Sequence, residues 1–335
     1  MDFNTILFSL LGALIATYAI LDGFDFGVGC ILFLTRSEEE RDLLIASIGP
    51  VWDGNQVWLL AIADVLFGAF PLAFTTVFSG FYVAFMLLLT ALVARSVATE
   101  YRHMHSSARW IRVWDSILAG GCLGSAVVLG IAAGNVLRGL PIGPGFTWQG
   151  TFLGLLNPYA ILIGTVSTTL FVMHGALYLR MKTDGELCNR LGRIALRAYY
   201  VFLLLYGAAA AATVYVSPFL FGKVGSPLFW DLAVLLTAAL ASIPFALQAE
   251  RKATAFLTSS AAIALMVMLT ALSLYPVLVP SSLGHQLSLT IYNAASTHGT
   301  LVNMLVIASI GIPIVLGYTF VVYRIFRGLA RPGQG

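Results

Sequence analysis

The sequence predicts an all-α integral membrane protein with nine transmembrane helices, and three observations predict it. Hydrophobic residues make up 59% of the 335 positions and charged residues only 10%, too little charge to clothe a soluble domain of this length. Apolar runs of about twenty residues or more, the length that crosses a bilayer, recur along the whole chain. Every lysine and arginine except Arg138 and Lys223 falls on one side of a nine-span layout. The positive-inside rule makes that side the cytoplasm. Residues 1–335 then form a single polytopic membrane domain with the N-terminus outside and the C-terminus in the cytoplasm.

The spans are expected at roughly 6–34, 43–70, 75–98, 114–137, 156–180, 196–217, 229–249, 253–277 and 300–325. The first begins in MDFNTILFSL, which has no basic segment ahead of its apolar run and is expected to stay as a helix. It carries LDGFDFGVG at 21–29, with Asp22 and Asp25 one turn apart on one face. Gly23 and Gly27 form a G-x-x-x-G on the other side, a face for close helix packing. The second span holds WDGNQVW at 52–58 and Asp64, polar enough to be missed by hydropathy alone. Without it the basic residues would scatter over both sides, so charge placement decides for nine spans. Gly54 in that motif marks a close approach of another backbone or a ligand. The third span ends near Glu100, with Arg95 assigned to the cytoplasmic loop that follows. The remaining spans are apolar and are separated by charged breaks or by turns such as GPGF at 143–146 and PSS at 280–282.

Four aspartates, Asp22, Asp25, Asp53 and Asp64, therefore lie at membrane depth, and no basic residue is expected inside any span. Each acid costs about 2.5–3.5 kcal/mol near a helix centre, which makes it a site by default. Three arrangements accommodate such acids: retention of the proton, hydration along a polar path, or a cation from another subunit. Interhelical hydrogen bonding for packing is the structural alternative. At about 1.5 Å per residue, Asp25 lies some 7 Å to the cytoplasmic side of the midplane and Asp53 within about 5 Å of it. The pair could form one polar route, with Glu100 as its cytoplasmic mouth. On the second helix Asp53 shares a face with Gln56, and Asn55 lies beside Trp52 and Trp58.

Other chemistry is sparse. Cys30, Cys122 and Cys188 have no metal-type spacing. His174 and His298 lie at different depths and do not suit the two axial positions of a haem between helices. No metal motif, nucleotide loop or nucleic-acid-binding feature is present in the pattern of residues.

With these residues in view, the chain resembles subunit II of cytochrome bd-type quinol oxidases. DGFDFGVG at 22–29 and WDGNQVWL at 52–59 carry the likeness most strongly, followed by FSGFYVA at 78–84. RW at 109–110, VWD at 113–115, GNVLRGLP at 134–141, NPY at 157–159, YLRMKTDGEL at 178–187, PSS at 280–282 and ASTH at 295–298 extend it over nearly the whole length. The resemblance implies a multi-pass subunit in a bacterial cytoplasmic membrane, with two four-helix bundles plus a peripheral helix. It implies a heterodimer with a subunit I that carries haem b, haem d and the quinol site, a complex that oxidises quinol and reduces oxygen to water. This chain would bind no haem itself; a structural quinone and a small single-span third subunit also accompany some relatives. The cyanide-insensitive branch of the family is one home the resemblance offers.

In residues, the resemblance implies a proton path through Asp53 and Glu100, joined here by Asp25 and Asp22, and an oxygen route beside Trp58. Some relatives have Asp at the position of Glu100, and where some carry a lysine four positions further on, this chain has Met104. Trp52, Asn55, Gln56, Gly23 and Gly27 are expected at the subunit interface or in packing. A proton-coupled secondary transporter is the alternative from a different class, since it too would use deep carboxylates. No pair of interrupted helices in matching halves supports it.

Overall fold

The structure, a computed structural model, describes residues 2–330. Arg331, counted above among the cytoplasmic charges, lies outside the described residues. The described residues form twelve α-helices in the order α1 (Phe3–Ile31), α2 (Glu38–Ile48), α3 (Trp52–Ala69), α4 (Pro71–Gly80), α5 (Tyr82–Tyr101), α6 (Ala108–Arg138), α7 (Phe152–Leu155), α8 (Pro158–Lys182), α9 (Gly185–Val216), α10 (Pro227–Gln248), α11 (Lys252–Leu274) and α12 (His298–Ile325). A short antiparallel pair, β1 (Val277–Val279) with β2 (Leu289–Thr290), lies between α11 and α12. Loop segments at Leu140 and Ile142 bridge to Ser281 and Trp148 beside it.

Eight segments among the described residues are long and apolar enough to cross a membrane: Phe3–Leu34, Tyr82–Met104, Ala108–Arg138, Pro158–Lys182, Gly185–Val216, Pro227–Gln248, Lys252–Leu274 and His298–Ile325. The second expected span is divided. Ser37 caps α2 by accepting from the Glu40 amide, and Glu38, Glu39 and Glu40 fill its first turn, where acids suit the helix dipole. Gly49 and Pro50 then stop that helix, and α3 begins at Trp52. At 18 residues α3 is about 27 Å long, slightly short of the ~30 Å hydrocarbon core. The third expected span is also displaced. Pro71 opens α4, and a bend at Phe81 separates it from α5. The apolar segment therefore runs from 82 to 104 rather than 75 to 98, which places Arg95 near its middle. The expectation that no cation lies at membrane depth is corrected: Arg95 belongs to the helix, not to the loop.

The centre of the molecule is α1, which packs against α3, α6, α8, α11 and α12. From Asp22 to Ile31 every residue of α1 is buried, so this half of the helix has no outward face. Glycines permit that density. A Cβ on Gly27 would lie 1.8 Å from the Phe171 carbonyl oxygen and 3.0 Å from the Gly175 Cα, so α1 and α8 meet backbone to backbone. A Cβ on Gly23 would strike the Phe171 ring at 2.7 Å. On the flanks α9 packs against α8 and α10 against α11, while α12 rests on α3 and α1 with Leu301 as its one buried residue.

Candidate functional site

The C-terminal half of α1 delivers two fully buried carboxylates, and α3 and α5 supply their partners. Asp22 Oδ1 accepts from Arg95 Nη1 at 2.7 Å, with the side chains 0% and 2% exposed. Arg95 occupies the buried stripe of α5 together with Leu88, Leu92 and Ala98. Its Nη2 donates to Gln56 Oε1 at 3.4 Å, and its guanidinium lies 4.8 Å from the Phe26 ring centroid and 6.0 Å from that of Trp52. Asp25 is bound differently. Its Oδ2 accepts from Asn55 Nδ2 at 2.8 Å, and Asn55 Oδ1 accepts in turn from the Tyr323 hydroxyl at 3.0 Å. One guanidinium thus serves a site with two carboxyl groups. Asp22 Oδ2, Asp25 Oδ1, Arg95 Nε and the Tyr18 hydroxyl are buried there without a protein partner. Such unfilled valences are what a bridging water or a shared proton occupies.

Asp53 does not meet Asp25. Residues 53 and 55 point about 200° apart on a helix, so the turn that aims Asn55 at α1 sends Asp53 outward. Asp53 is exposed on the surface of the chain, as is Asp64. Eleven residues is just over three full turns, so the two acids share one outward face of α3 with Val57, Leu60 and Phe67. Glu100 lines a cleft of about 430 Å³ with Glu38, Asp42, Arg102, His103 and His105, and Trp52 forms part of the same lining. Trp58 is 2% exposed, and its Nε1 has no partner. A Cβ on Gly54 would lie 3.0 Å from the Tyr318 ring, so the close neighbour there is a side chain of α12.

His174 is wholly committed. One ring nitrogen contacts Ser259 Oγ at 2.7 Å, the other the Ile20 carbonyl at 3.1 Å, and the ring stacks on Phe256 at 4.7 Å. His298 opens α12 against Phe3. Neither arrangement fits an axial haem ligand, because the buried imidazole has no free nitrogen and the other lies at a helix start. Among the described residues no three His, Cys, Asp or Glu side chains gather into a metal-holding group.

A helical membrane protein whose interior holds a carboxylate–arginine–amide cluster is the class these features define. The match to known proteins narrows it. Residues 3–326 match the family model of cytochrome bd terminal oxidase subunit II. Cytochrome bd-I ubiquinol oxidase subunit 2 of Escherichia coli K12 is 33% identical, covering 92% of this chain and 90% of the relative. Cytochrome bd ubiquinol oxidase subunit 2 of Bacillus subtilis is 34% identical over 96% of this chain and 94% of its own. The fold is that of bd oxidase from Geobacillus thermodenitrificans, with TM-score 0.77 at 17% identity over 97% of this chain and 99% of that one. The chain belongs to the cytochrome bd terminal oxidase subunit II family, and it is a subunit of an oxidase complex in a bacterial inner membrane. The transporter alternative has no support in these relatives.

Sequence reasoning overlooked Arg95 and Tyr323. Arg95 was legible as the third member of an i, i+4, i+7, i+10 stripe beginning at Leu88, a spacing that belongs to a buried helix face. Tyr323 had no such signal, because its partner Asn55 is 268 positions away.

Proposed function

We propose that this chain is the haem-free subunit II of a quinol:oxygen oxidoreductase, lining a proton path from the cytoplasm and an oxygen route beside Trp58. The observation that carries the reading is the outward face of α3. Two carboxylates, Asp53 and Asp64, stand on it among Val57, Leu60 and Phe67, and acids at membrane depth require protein or water as neighbour rather than lipid. A haem-bearing subunit I seated on α3 supplies that neighbour. α3 is then the ninth span, and the helices form two four-helix bundles plus a peripheral helix in one domain, with the N-terminus outside. The cleft that holds Glu100 and Trp52 supports a cytoplasmic mouth, with Asp53 on the adjoining turn. The buried cluster of Asp22, Asp25 and Arg95 lies behind Trp52. Haem b and haem d belong to subunit I. A structural quinone, lipids and a small third subunit fit the same reading.

Co-purification with the neighbouring subunit tests it, through reduced haem spectra and quinol-dependent oxygen uptake. D53N is expected to slow turnover with assembly and haem content intact. Loss of assembly instead would make Asp53 a packing residue, and a co-purified complex without haem b and d signals would overturn the whole assignment.

A further inference from the structure

Helix α6 is 31 residues long, about 46 Å, so it outreaches the ~30 Å hydrocarbon core and its first turns stand at headgroup level. Trp110 and Trp114, which pack on each other beside Tyr101, mark that level as interfacial aromatics do. On the outer side of the same turns Arg109 and Arg112 are exposed, and neither has a carboxylate within ion-pair distance among the described residues. Arg112 Nε donates to the Ala108 carbonyl at 3.1 Å, which leaves its terminal nitrogens free. The two arginines line an open groove of about 630 Å³ with Val113, Ser116 and Ile117.

A second groove of about 200 Å³ shares Arg112 and Ser116 and reaches Phe33, just past the end of α1, and Arg41 on α2. Asp115 is its one acid, and that charge is already taken by Arg102 at 2.6 Å and by Arg41 at 3.7 Å. The grooves are therefore positive on balance. Towards the bilayer centre the exposed face of α6 continues through Ser116, Gly120 and Leu123. An added Cβ on Gly120 would meet no atom within 4 Å, so the surface beneath the arginines is open and smooth.

We propose that this face binds an anionic phospholipid, its phosphate held by Arg109 and Arg112 and an acyl chain running along Ser116, Gly120 and Leu123. Guanidinium forks match phosphate oxygens bidentately, and basic pockets on the cytoplasmic side of helical membrane proteins select anionic headgroups. The apolar walls, with Val113 49% and Phe33 57% exposed, give the chain its contact.

The test uses the purified oxidase complex, delipidated and then offered equimolar phosphatidylglycerol and phosphatidylcholine, with retained lipid read by native mass spectrometry. The wild-type complex should retain phosphatidylglycerol preferentially. At about 1 kcal/mol per arginine near an anionic surface, R109Q/R112Q should weaken phosphatidylglycerol binding about thirty-fold. The charge-matched R193Q/R197Q, on the exposed side of α9, should keep it. Independently, a photoreactive side chain at Val113 should cross-link to phosphatidylglycerol with both arginines in place. Undiminished retention by R109Q/R112Q, equal loss in R193Q/R197Q, or a cross-link to a protein subunit would each overturn the proposal.

Discussion

Asp22 and Arg95 form a pair with almost no contact with solvent, so each holds the other's charge in a low-dielectric interior. Removing one partner strands the other. R95M is expected to cost about 3–5 kcal/mol, read as a lowered denaturation midpoint of the assembled complex in detergent. Replacing both, as D22L/R95M, should cost far less, because no orphaned charge remains. Asp25 depends on an amide rather than a cation, so N55L should release the Tyr323 hydroxyl and Asp25 Oδ2 together. That leaves two more buried groups unmade, a loss of about 1–3 kcal/mol each, read in the same denaturation experiment. The acids themselves were legible in the sequence, since a carboxylate in an apolar run announces itself. Their partners were overlooked: the stripe that marks Arg95 as buried was masked by a span drawn seven residues too early, and Asn55 by its neighbour Asp53, whose charge drew the inference.

At the scale of elements, eight apolar helices were readable because length and hydropathy suffice to find them. The breaks were harder. Gly49–Pro50 and Ser37 followed by Glu40 are a helix stop and a capping box, and both stand in the sequence, but hydropathy smooths over them. The bend at Phe81 has no proline of its own, and the Trp148 ring lies close enough to Gly80 that a Cβ would meet it at 2.4 Å. The contact of α1 with α8 is set by absent side chains. G27A should force the helices apart at the Phe171 carbonyl and cost about 1–3 kcal/mol or more. G120A, with nothing near it, should be neutral or gain about 0.5–1 kcal/mol from helix propensity. Thermal stability of the two variants side by side separates tight packing from mere helix content.

Across the whole molecule, the loops and helix ends on one side of the bundle are tied together by ion pairs between distant elements. Glu40 on α2 accepts from Arg190 on α9, Arg180 on α8 binds Glu250 at 2.6 Å, and Lys252 binds Asp184 at 3.0 Å. The hydrogen bond from Arg190 holds the Glu40 carboxyl below its usual range. A depressed carboxylate adds stability above its unfolded value and loses it as pH falls through the folded one. E40Q should therefore remove about 0.2–1 kcal/mol at neutral pH, and its stability should fall less than wild type on acidification through that window. Denaturation midpoints of the two proteins at neutral and acid pH check the sign.

The 73 positions between Asp22 and Arg95 carry a consequence for biogenesis. Chains enter a bilayer in the order of synthesis, so α1 with its two acids emerges well before the helix that carries the guanidinium. At about 2.5–3.5 kcal/mol for each acid, α1 is a poor solitary lodger in lipid and a good one only beside α5. The buried pair is thus also a timing device: it favours keeping the first helix at the insertion machinery until the fifth has arrived.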